Sequence, residues 1–463
     1  MSTLMHVAHK FLPESSKRIL KRYLYTLLPM RWRLGNDYYE LKAFLQEAQG
    51  WDREKIEEWQ FRKTKNILDH AYTNVPGYYF LFNDAEIQPK DIRSLEDLSK
   101  IPFTTKELIR DNLSDFTARN IPKWKMRYVS TSGSTGIPFG FYQTDENLWK
   151  EKAFMHSGWE RAGWSFGDST AVLRGGYVGS KDDISNHIPG SKELFLSSYY
   201  LTDENYHFYI EALKNHKPKH LMAYPSSASL LANLILENND VGLIDFDIIF
   251  LASEKILNYQ IEVLRKTFEK AKIFGWYGQS EQVILAPWCE LERTFHAWPF
   301  YGITEIINTD IETFTEEGQG EIVGTSFWNY ATPFIRYKTM DYAIQGKKHC
   351  KSCGRNFLVL KNISGRMDDL LITKTGRKIP IPTTSIHNDI FRNVRQFQFK
   401  QEIPGVVVMH IIKKDQYRNI DAQRIYKSVK EKLGEDMLLK IVYDDHIPKN
   451  KSGKLRVVEQ KIN

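Results

Sequence analysis

The chain has 463 residues, 42% of them hydrophobic and 26% charged, with a formal net charge of +7. That is the composition of a soluble globular protein, and the length calls for two or three folding units rather than one core. The modest positive excess, with acidic and basic residues interspersed, argues against a dedicated nucleic-acid binder and suits an anionic small substrate, while no run reaches the roughly 18 apolar residues of a membrane-spanning helix.

Residues 1–50 form a basic, partly amphipathic extension. Lys17, Arg18, Lys21, Arg22, Arg31 and Arg33 interleave with Leu20, Tyr23, Leu24, Leu27, Leu28 and Trp32. Such a helix either lies on an anionic membrane surface, here the inner face, or packs on its own protein. Met1 to Gly35 shows no signal-peptide apolar core or cleavage site, and three cysteines make no disulfide framework, so the expected location is the reducing cytoplasm.

Trp51 to Tyr72 is helical in pattern, with Ile56, Trp59, Ile67, Leu68 and Tyr72 close to one face. Short helical pieces follow, broken at Pro76, Pro89, Pro102 and Pro122. The run Thr131-Ser132-Gly133-Ser134-Thr135-Gly136-Ile137-Pro138 is the most informative in the chain. Glycines bracketing hydroxyls let backbone N–H groups approach a phosphate, although the run also suits a plain turn. It is not a Walker loop, because the spacing and the lysine are missing. Arg127–Val129 and Phe139–Tyr142 read as strands, which would seat the loop on a sheet.

Beyond the loop, Thr170–Arg174, His220–Tyr224, Ile248–Ser253 and Ile273–Tyr277 read as buried strands, and Ser227–Leu236 and Tyr259–Lys270 as helices. This alternation predicts βαβ units and a parallel sheet, whose ligands sit beyond the carboxyl ends of the strands. Those ends are Tyr224-Pro225-Ser226, Ser253-Glu254-Lys255 and Tyr277-Gly278-Gln279-Ser280-Glu281. Gly302 to Ile344 reads mostly as strand, with a turn at Glu316–Gly320. A polar break at Ile363–Asp369 separates a large domain, 51–364, from a small one, 365–463. In the latter, strands are expected near Gln396–Gln401, Val406–Ile412 and Leu438–Tyr443, and a helix starts at Asp421 as N-cap with Ile425, Val429 and Leu433 on one face.

Six stretches stand in a fixed order: TSGSTGIP (131–138), AYPSS (223–227), ASEK (252–255), YGQSE (277–281), RYKTMD (336–341) and GRMDD (365–369), followed by the lysine tail PKNKSGKLR (448–456). The chain resembles the adenylate-forming superfamily of acyl-CoA synthetases over residues 50 to 463, most closely its phenylacetate-CoA ligase and CapK-like branch. The resemblance implies an α/β fold: a large N-terminal domain with parallel-type sheets, helices and a β-rich subdomain, and a small mobile α+β C-terminal lid. It implies ATP-dependent activation of a small carboxylic acid as an acyl-adenylate, with coenzyme A or a surface-polysaccharide precursor as acceptor; a non-catalytic relative is the remaining reading.

The resemblance also assigns roles. Ser132, Gly133, Ser134, Thr135 and Gly136 would hold the triphosphate, and Glu281 would bind Mg²⁺, a hard cation suited to a carboxylate and phosphate oxygens. Tyr277 would stack on adenine, with Ser253, Glu254 and Lys255 at its edge. Asp341 would accept both ribose hydroxyls, Arg366 would contact ribose or phosphate, and Asp368 would be the hinge. Lys454 would meet the reacting carboxylate, although a run of lysines is in itself an ordinary solvated tail. The acyl pocket would involve Tyr224, Trp276 and Gly278, and their aromatic character leans toward a flat apolar acid. The chain departs from the family's pattern at Met340, where glycine is usual before the ribose aspartate, and at Phe139, where many members carry lysine.

The three cysteines form one further pattern. Cys350-Lys351-Ser352-Cys353-Gly354 is a knuckle that presents two thiolates to a tetrahedral metal. Cys289 would be the third ligand of a structural zinc, and His296 or His349 the fourth. A homodimer is the commonest oligomeric choice for such a chain.

Overall fold

In the computed structural model, the described residues are 30–131, 139–175, 177, 183–187, 192–308, 313–314, 318–366, 370–376, 378–380, 388–391, 393–450 and 454–462. The chain enters through helix α1 (Met30–Ala48), kinked at Gly35, where φ of 74° leaves helical space. Helix α2 (Arg53–Asn74) starts at Asp52, whose Oδ1 accepts the Lys55 N–H at 2.8 Å. Its face of Ile56, Trp59, Ile67, Leu68 and Ala71 is fully packed. Helices α3 (Pro76–Asp84) and α4 (Lys106–Asp111) complete this layer.

Strands β1 (Met126–Thr131) and β2 (Phe139–Thr144) pair antiparallel with Thr131 opposite Phe139, so the ends of the glycine- and hydroxyl-rich loop are clamped together. Helix α5 (Asp145–Ala162) carries α1 on its back: Leu34, Tyr38 and Ala153 share one cluster, and the Tyr38 hydroxyl meets His156 Nδ1 at 2.7 Å. From Leu34 onward the N-terminal segment is therefore packed on its own protein. The basic stretch before Met30, and the side chains of Arg31, Trp32 and Arg33, lie outside the described residues.

The central sheet is built from β3 (Thr170–Arg174), β4 (Ser185–His187), β5 (Glu193–Ser197), β6 (His220–Ala223), β7 (Ile248–Leu251), β8 (Lys272–Gly278) and β9 (Leu285–Pro287). Their order is β4-β5-β3-β6-β7-β8-β9, with β5, β3, β6, β7 and β8 parallel and the two edges antiparallel. Helices α6 (Tyr206–His216), α7 (Pro225–Glu237) and α8 (Asn258–Thr267) are the crossovers. Leu221, Ala223, Ile249 and Leu251 are closed off completely, as expected for strands covered on both faces.

A second, antiparallel sheet comprises β10 (Phe295–Ala297), β11 (Gly302–Asn308), β12 (Thr313–Phe314), β13 (Gly318–Ser326), β14 (Tyr337–Gln345) and β15 (Leu358–Arg366), ordered β10-β15-β14-β13-β11-β12. Gly318–Gly320, read from the sequence as part of a turn, instead begin β13 and pair with Ala343–Gln345. The glycines there face a neighbouring strand closely: a Cβ on Gly320 would stand 2.5 Å from the Ile307 carbonyl oxygen.

The C-terminal unit contains the hairpin β16 (Leu370–Ile372) and β17 (Lys378–Pro380), then β18 (Val394–Ile403), β19 (Val406–Lys413), α9 (Asn419–Leu433), β20 (Leu438–Tyr443) and β21 (Val458–Gln460). Phe397, Phe399, Val407, Met409 and Ile411 meet Ile425, Val429 and Leu433 in a separate core. That core also takes in Leu257 at the start of α8, and Tyr259 packs on Phe391 and Phe397, so the lid is seated on the body. Helix α9 begins two residues before Asp421. Arg418 is the N-cap, and Asp421 reaches back from the first turn so that Oδ2 accepts the Arg418 N–H at 2.8 Å and Asn393 Nδ2 at 3.0 Å. The sequence reading of Asp421 as the N-cap is thus corrected: from the third helical position its carboxylate takes the N–H of the N-cap residue, where an N-cap side chain would take those of the first turn.

Candidate active site

Strands β6, β7 and β8 run parallel in the register Ala223–Leu251–Gly275, so Tyr224, Ser253–Lys255 and Tyr277–Gly278 emerge along one edge of the sheet. Strain is concentrated there. Of seven described non-glycine residues with positive φ, four lie in or beside the motifs: Ser253 (71°), Gln282 (56°), Arg336 (43°) and Met340 (64°). Met340 takes the left-handed geometry that glycine would adopt more cheaply, and its N–H is held by Glu321 Oε1 at 3.0 Å. The register with β13 shifts at this point, and Asp341 keeps its pairing with β15.

Tyr277 and Asp341, 64 residues apart, form one wall. The Tyr277 hydroxyl donates to Asp341 Oδ2 at 2.6 Å, and Gln279 Nε2 donates to the same oxygen at 3.3 Å. Burial, then the Asp341 charge, pushes the Tyr277 phenol well above its ordinary range, so it stays a donor. Asp341 stands opposite Arg366 across the β14–β15 pair. Glu281 Oε1 accepts the Tyr337 hydroxyl at 3.3 Å. Ser132, Gly133, Ser134, Thr135, Gly136, Asp368 and the side chain of Arg366 lie outside the described residues.

The lid forms the other wall. Glu254 Oε2 accepts the Ser226 N–H at 3.0 Å, and Oε1 accepts both the Ser226 hydroxyl at 3.0 Å and the Leu455 N–H of the lid at 2.9 Å. The carboxylate thereby caps the positive end of α7 and grips the lid beside Lys454. Burial raises its pKa, and hydrogen bonds to Ser226 and Leu455 oppose that. Lys454 Nζ stands 5.5 Å from the Tyr224 ring centroid. Its backbone is braced by Asn450, whose Oδ1 accepts the Lys454 N–H at 3.0 Å and whose N–H donates to the Lys454 carbonyl at 2.9 Å. Lys449 is no solvated tail residue: its ammonium donates to the Ser198 carbonyl, and burial brings its pKa down to about 8. Arg395 adds ion pairs to Asp203 at 2.6 Å and Glu237 at 2.5 Å, and Lys414 Nζ donates to Asn233 Oδ1 at 2.7 Å.

Tyr224 and Trp276 come together around a side chain that sequence reasoning missed. The Arg174 guanidinium, at the carboxyl end of β3, lies 5.8 Å from the Tyr224 centroid and 5.0 Å from that of Trp276. Gly278 follows two positions along β8, on the same face as Trp276. A single arginine at a strand end makes no motif; only its place beside two anticipated loops marks it.

Away from this edge, Cys289, His296, Cys350 and Cys353 bring their donor atoms within 4.8 Å of one another in buried surroundings. Cys289 Sγ is 4.0 Å from Cys350 Sγ, and Cys353 Sγ is 4.0 Å from His296 Nδ1, close to the edges of a tetrahedron with zinc at its centre. His349 turns aside to Asn356 Oδ1 at 2.9 Å, so the histidine of the cluster is His296. The knuckle closes through the Gly354 N–H to the Cys350 carbonyl at 2.8 Å, with Gly354 at φ of 76°. Arg161 lies against the cluster, 4.2 Å from the Trp298 ring, with Nη1 and Nη2 buried and lacking an acceptor among the described residues. A cation so placed suits a site that carries net negative charge.

Residues 371–461 match the family model of the CapK C-terminal domain. The chain is 25% identical over 450 residues to a phenylacetate-coenzyme A ligase of Thermus thermophilus, covering 88% of this chain and 96% of that one. It is 22% identical over 447 residues to protein CapK of Staphylococcus aureus, covering 92% and 93%. A solved 2-hydroxyisobutyryl-CoA ligase, in the postadenylation state with 2-HIB-AMP, superimposes with a TM-score of 0.72 at 15% identity, covering 90% of this chain and 91% of that one. The chain is thus similar to phenylacetate-coenzyme A ligases and to protein CapK, and has the acyl-CoA ligase fold of a large domain and a C-terminal domain.

Proposed function

We propose that the protein is an AMP-forming acid ligase that activates a small carboxylic acid with ATP and passes the acyl group to coenzyme A. In the first step a carboxylate oxygen attacks the α-phosphorus, and the bond to the β-phosphate breaks to release pyrophosphate. In the second, the thiol sulfur attacks the acyl carbonyl, loses its proton, and AMP leaves. Two anions must meet in the first step, so the site has to neutralise charge and align the reactants. The observation that carries the reading is Lys454 on the lid, held over Tyr224 by the Glu254–Leu455 contact at the carboxyl edge of the parallel strands. The phenylacetate-coenzyme A ligase relatives support the choice of reaction.

The residues divide as follows. Ser132 to Gly136 cradle the triphosphate, Asp341 takes the ribose hydroxyls with Arg366 beside it, and Tyr277 stacks on adenine while its hydroxyl holds Asp341 in place. Glu281 is the carboxylate for Mg²⁺, which would neutralise phosphate charge. Asp368 is the pivot for the lid between the two steps. Ser253 and Lys255 border the nucleotide; Glu254 in this arrangement serves the lid. The Cys289–His296–Cys350–Cys353 cluster holds a structural zinc. The test is acid-dependent ATP–pyrophosphate exchange, followed by coenzyme A-dependent release of AMP and thioester. Exchange without thioester would move the acceptor to another nucleophile, such as the surface-polysaccharide precursor that the CapK relationship brings to mind. No exchange with any acid would leave a non-catalytic relative.

The grip of Glu254 predicts a selective defect. Glutamine has one acceptor oxygen, so Glu254→Gln must turn an amide NH₂ toward the N–H of either Ser226 or Leu455. Losing a charge-assisted bond of about 1.5–3 kcal/mol should slow exchange by roughly 10–100-fold. Thioester formation from supplied acyl-adenylate, which uses the swung lid, should stay near wild type. Equal loss in both half-reactions would show a folding defect and not a docking defect.

A further inference from the structure

Arg174 is an expensive residue to leave as it stands. Its Nε and Nη2 are buried and find no acceptor among the described residues. Burial lowers its pKa to about 10, which the neighbouring Tyr224 and Glu254 offset only in part. An unmet donor in such a place costs free energy that a ligand can recover. The two unmet nitrogens share one edge of the guanidinium, the edge that offers two parallel N–H bonds and matches the two oxygens of a carboxylate. The Tyr224 and Trp276 rings both lie beside the group, at 5.8 Å and 5.0 Å.

Two further observations locate that edge relative to the chemistry. Tyr224 also carries Lys454, so the fork and the ammonium that meets the reacting carboxylate share one aromatic ring. Trp276 in turn packs against Trp159 and Phe250, which holds its ring in place beside the fork. Both cations lie near the same centroid, at 5.8 Å and 5.5 Å, so an acid that bridges them is short.

We infer that Arg174 is the receptor for a second carboxylate on the acid, so that the substrate class is a short dicarboxylate and not a flat apolar acid. The inference rests on the ligase reading and replaces its lean toward aryl acids. One carboxylate is activated beside Lys454 while the other is held by the Nε and Nη2 edge, next to the two aromatic rings. Arg174 is then a specificity determinant that touches substrate but not the reacting atoms.

The test is a panel in ATP–pyrophosphate exchange: malonate, succinate and glutarate, each against its monoamide, with butyrate and phenylacetate as apolar acids. Wild type should favour one dicarboxylate over its monoamide and over both apolar acids by about 30-fold or more in kcat/KM. Arg174→Met should erase that preference, mostly through the KM for the acid, with the KM for ATP unchanged. Arg174→Lys should recover part of it, a rescue that a merely structural role would not show. Melting temperatures of both variants near wild type exclude misfolding; if Arg174→Met fails to fold, the wild-type panel and the lysine variant decide. Strong exchange with phenylacetate or butyrate and none with dicarboxylates would overturn the inference while leaving the ligase intact. So would an Arg174→Met variant whose KM for ATP rises equally with every acid, which would assign the fork to phosphate. No exchange with any acid removes the ligase reading, and this inference with it.

Discussion

Replacing Lys454 with alanine is expected to cut ATP–pyrophosphate exchange by about 10²–10³-fold or more, the scale seen when one preorganised donor is removed from a developing oxyanion. The ammonium is a compact charge on a flexible stem, and its backbone is fixed on both sides by Asn450. Glu254 holds the neighbouring Leu455 N–H, so the stem starts from a defined point at the mouth of the site. Deleting the side chain beyond Cβ removes the charge without disturbing these backbone contacts. The melting temperature should therefore stay within a degree or two of wild type, since a half-exposed side chain leaves no large cavity. Supplied acyl-adenylate should still yield thioester, because by then the charge on the reacting carboxylate has gone. Exchange at the wild-type rate in Lys454→Ala would transfer the catalytic charge to another cation, with Lys449 and Arg174 the nearest candidates.

The parallel strands could be read from the sequence because each is a short apolar run stopped by a turn residue: Thr170–Arg174 and Ile248–Leu251 need no tertiary information to stand out. Strand adjacency then brings the three polar loops to one edge. What the sequence could not carry is the direction of individual side chains between loops. The Tyr277–Asp341 bond joins the parallel sheet to the antiparallel one, and nothing local to either residue announces it. Glu254 sits among the nucleotide-side motifs by spacing, yet its carboxylate turns to Ser226 and the lid. Lys449 and Lys454 look alike in a basic tail and end in different places, one against a buried carbonyl and one over a ring. Arg174 was invisible for a simpler reason: a lone guanidinium becomes a feature only when its surroundings withhold an acceptor.

Strain and docking bear on one another. Ser253, at φ of 71°, is the residue just before Glu254, so the unfavourable backbone turn aims the carboxylate that receives the lid. Met340 plays the same part ahead of Asp341. A body that over-determines these turns would hold both walls ready if the C-terminal unit moves as proposed between the two steps. The attachments of the C-terminal unit are mixed: ion pairs around Arg395, Lys414 on Asn233, Lys449 on a carbonyl, the Leu455 N–H on Glu254, and an apolar contact at Leu257 and Tyr259. Interfaces of this mixed character permit domain motion where a wide apolar seam would not.

Cys350→Ser should produce the largest loss of stability of any substitution considered. The wild-type chain is expected to carry about one zinc, bound by three sulfurs and one nitrogen. Three thiolates and Zn²⁺ sum to one negative charge, which sits beside Arg161 and Arg355, with Glu290 paired to Arg355 at 2.8 Å. A serine in place of Cys350 removes a ligand and a negative charge together, and leaves the buried Arg161 with Glu290 and the Gln49 hydrogen bond. The cluster also ties together parts of the chain far apart in sequence: Cys289 follows β9, His296 lies on β10, and the knuckle precedes β15. A metal that binds the folded chain more tightly than the unfolded one adds the difference to stability. A fall in melting temperature on the order of 10 °C is expected, with zinc content dropping toward zero. His349→Ala, by contrast, should leave both unchanged, because that ring bonds to Asn356 and not to the sulfurs. Metal-free wild-type protein with the melting temperature of the metal-loaded form would mean that the thiols are merely packed, and that Arg161 owes its place to something else.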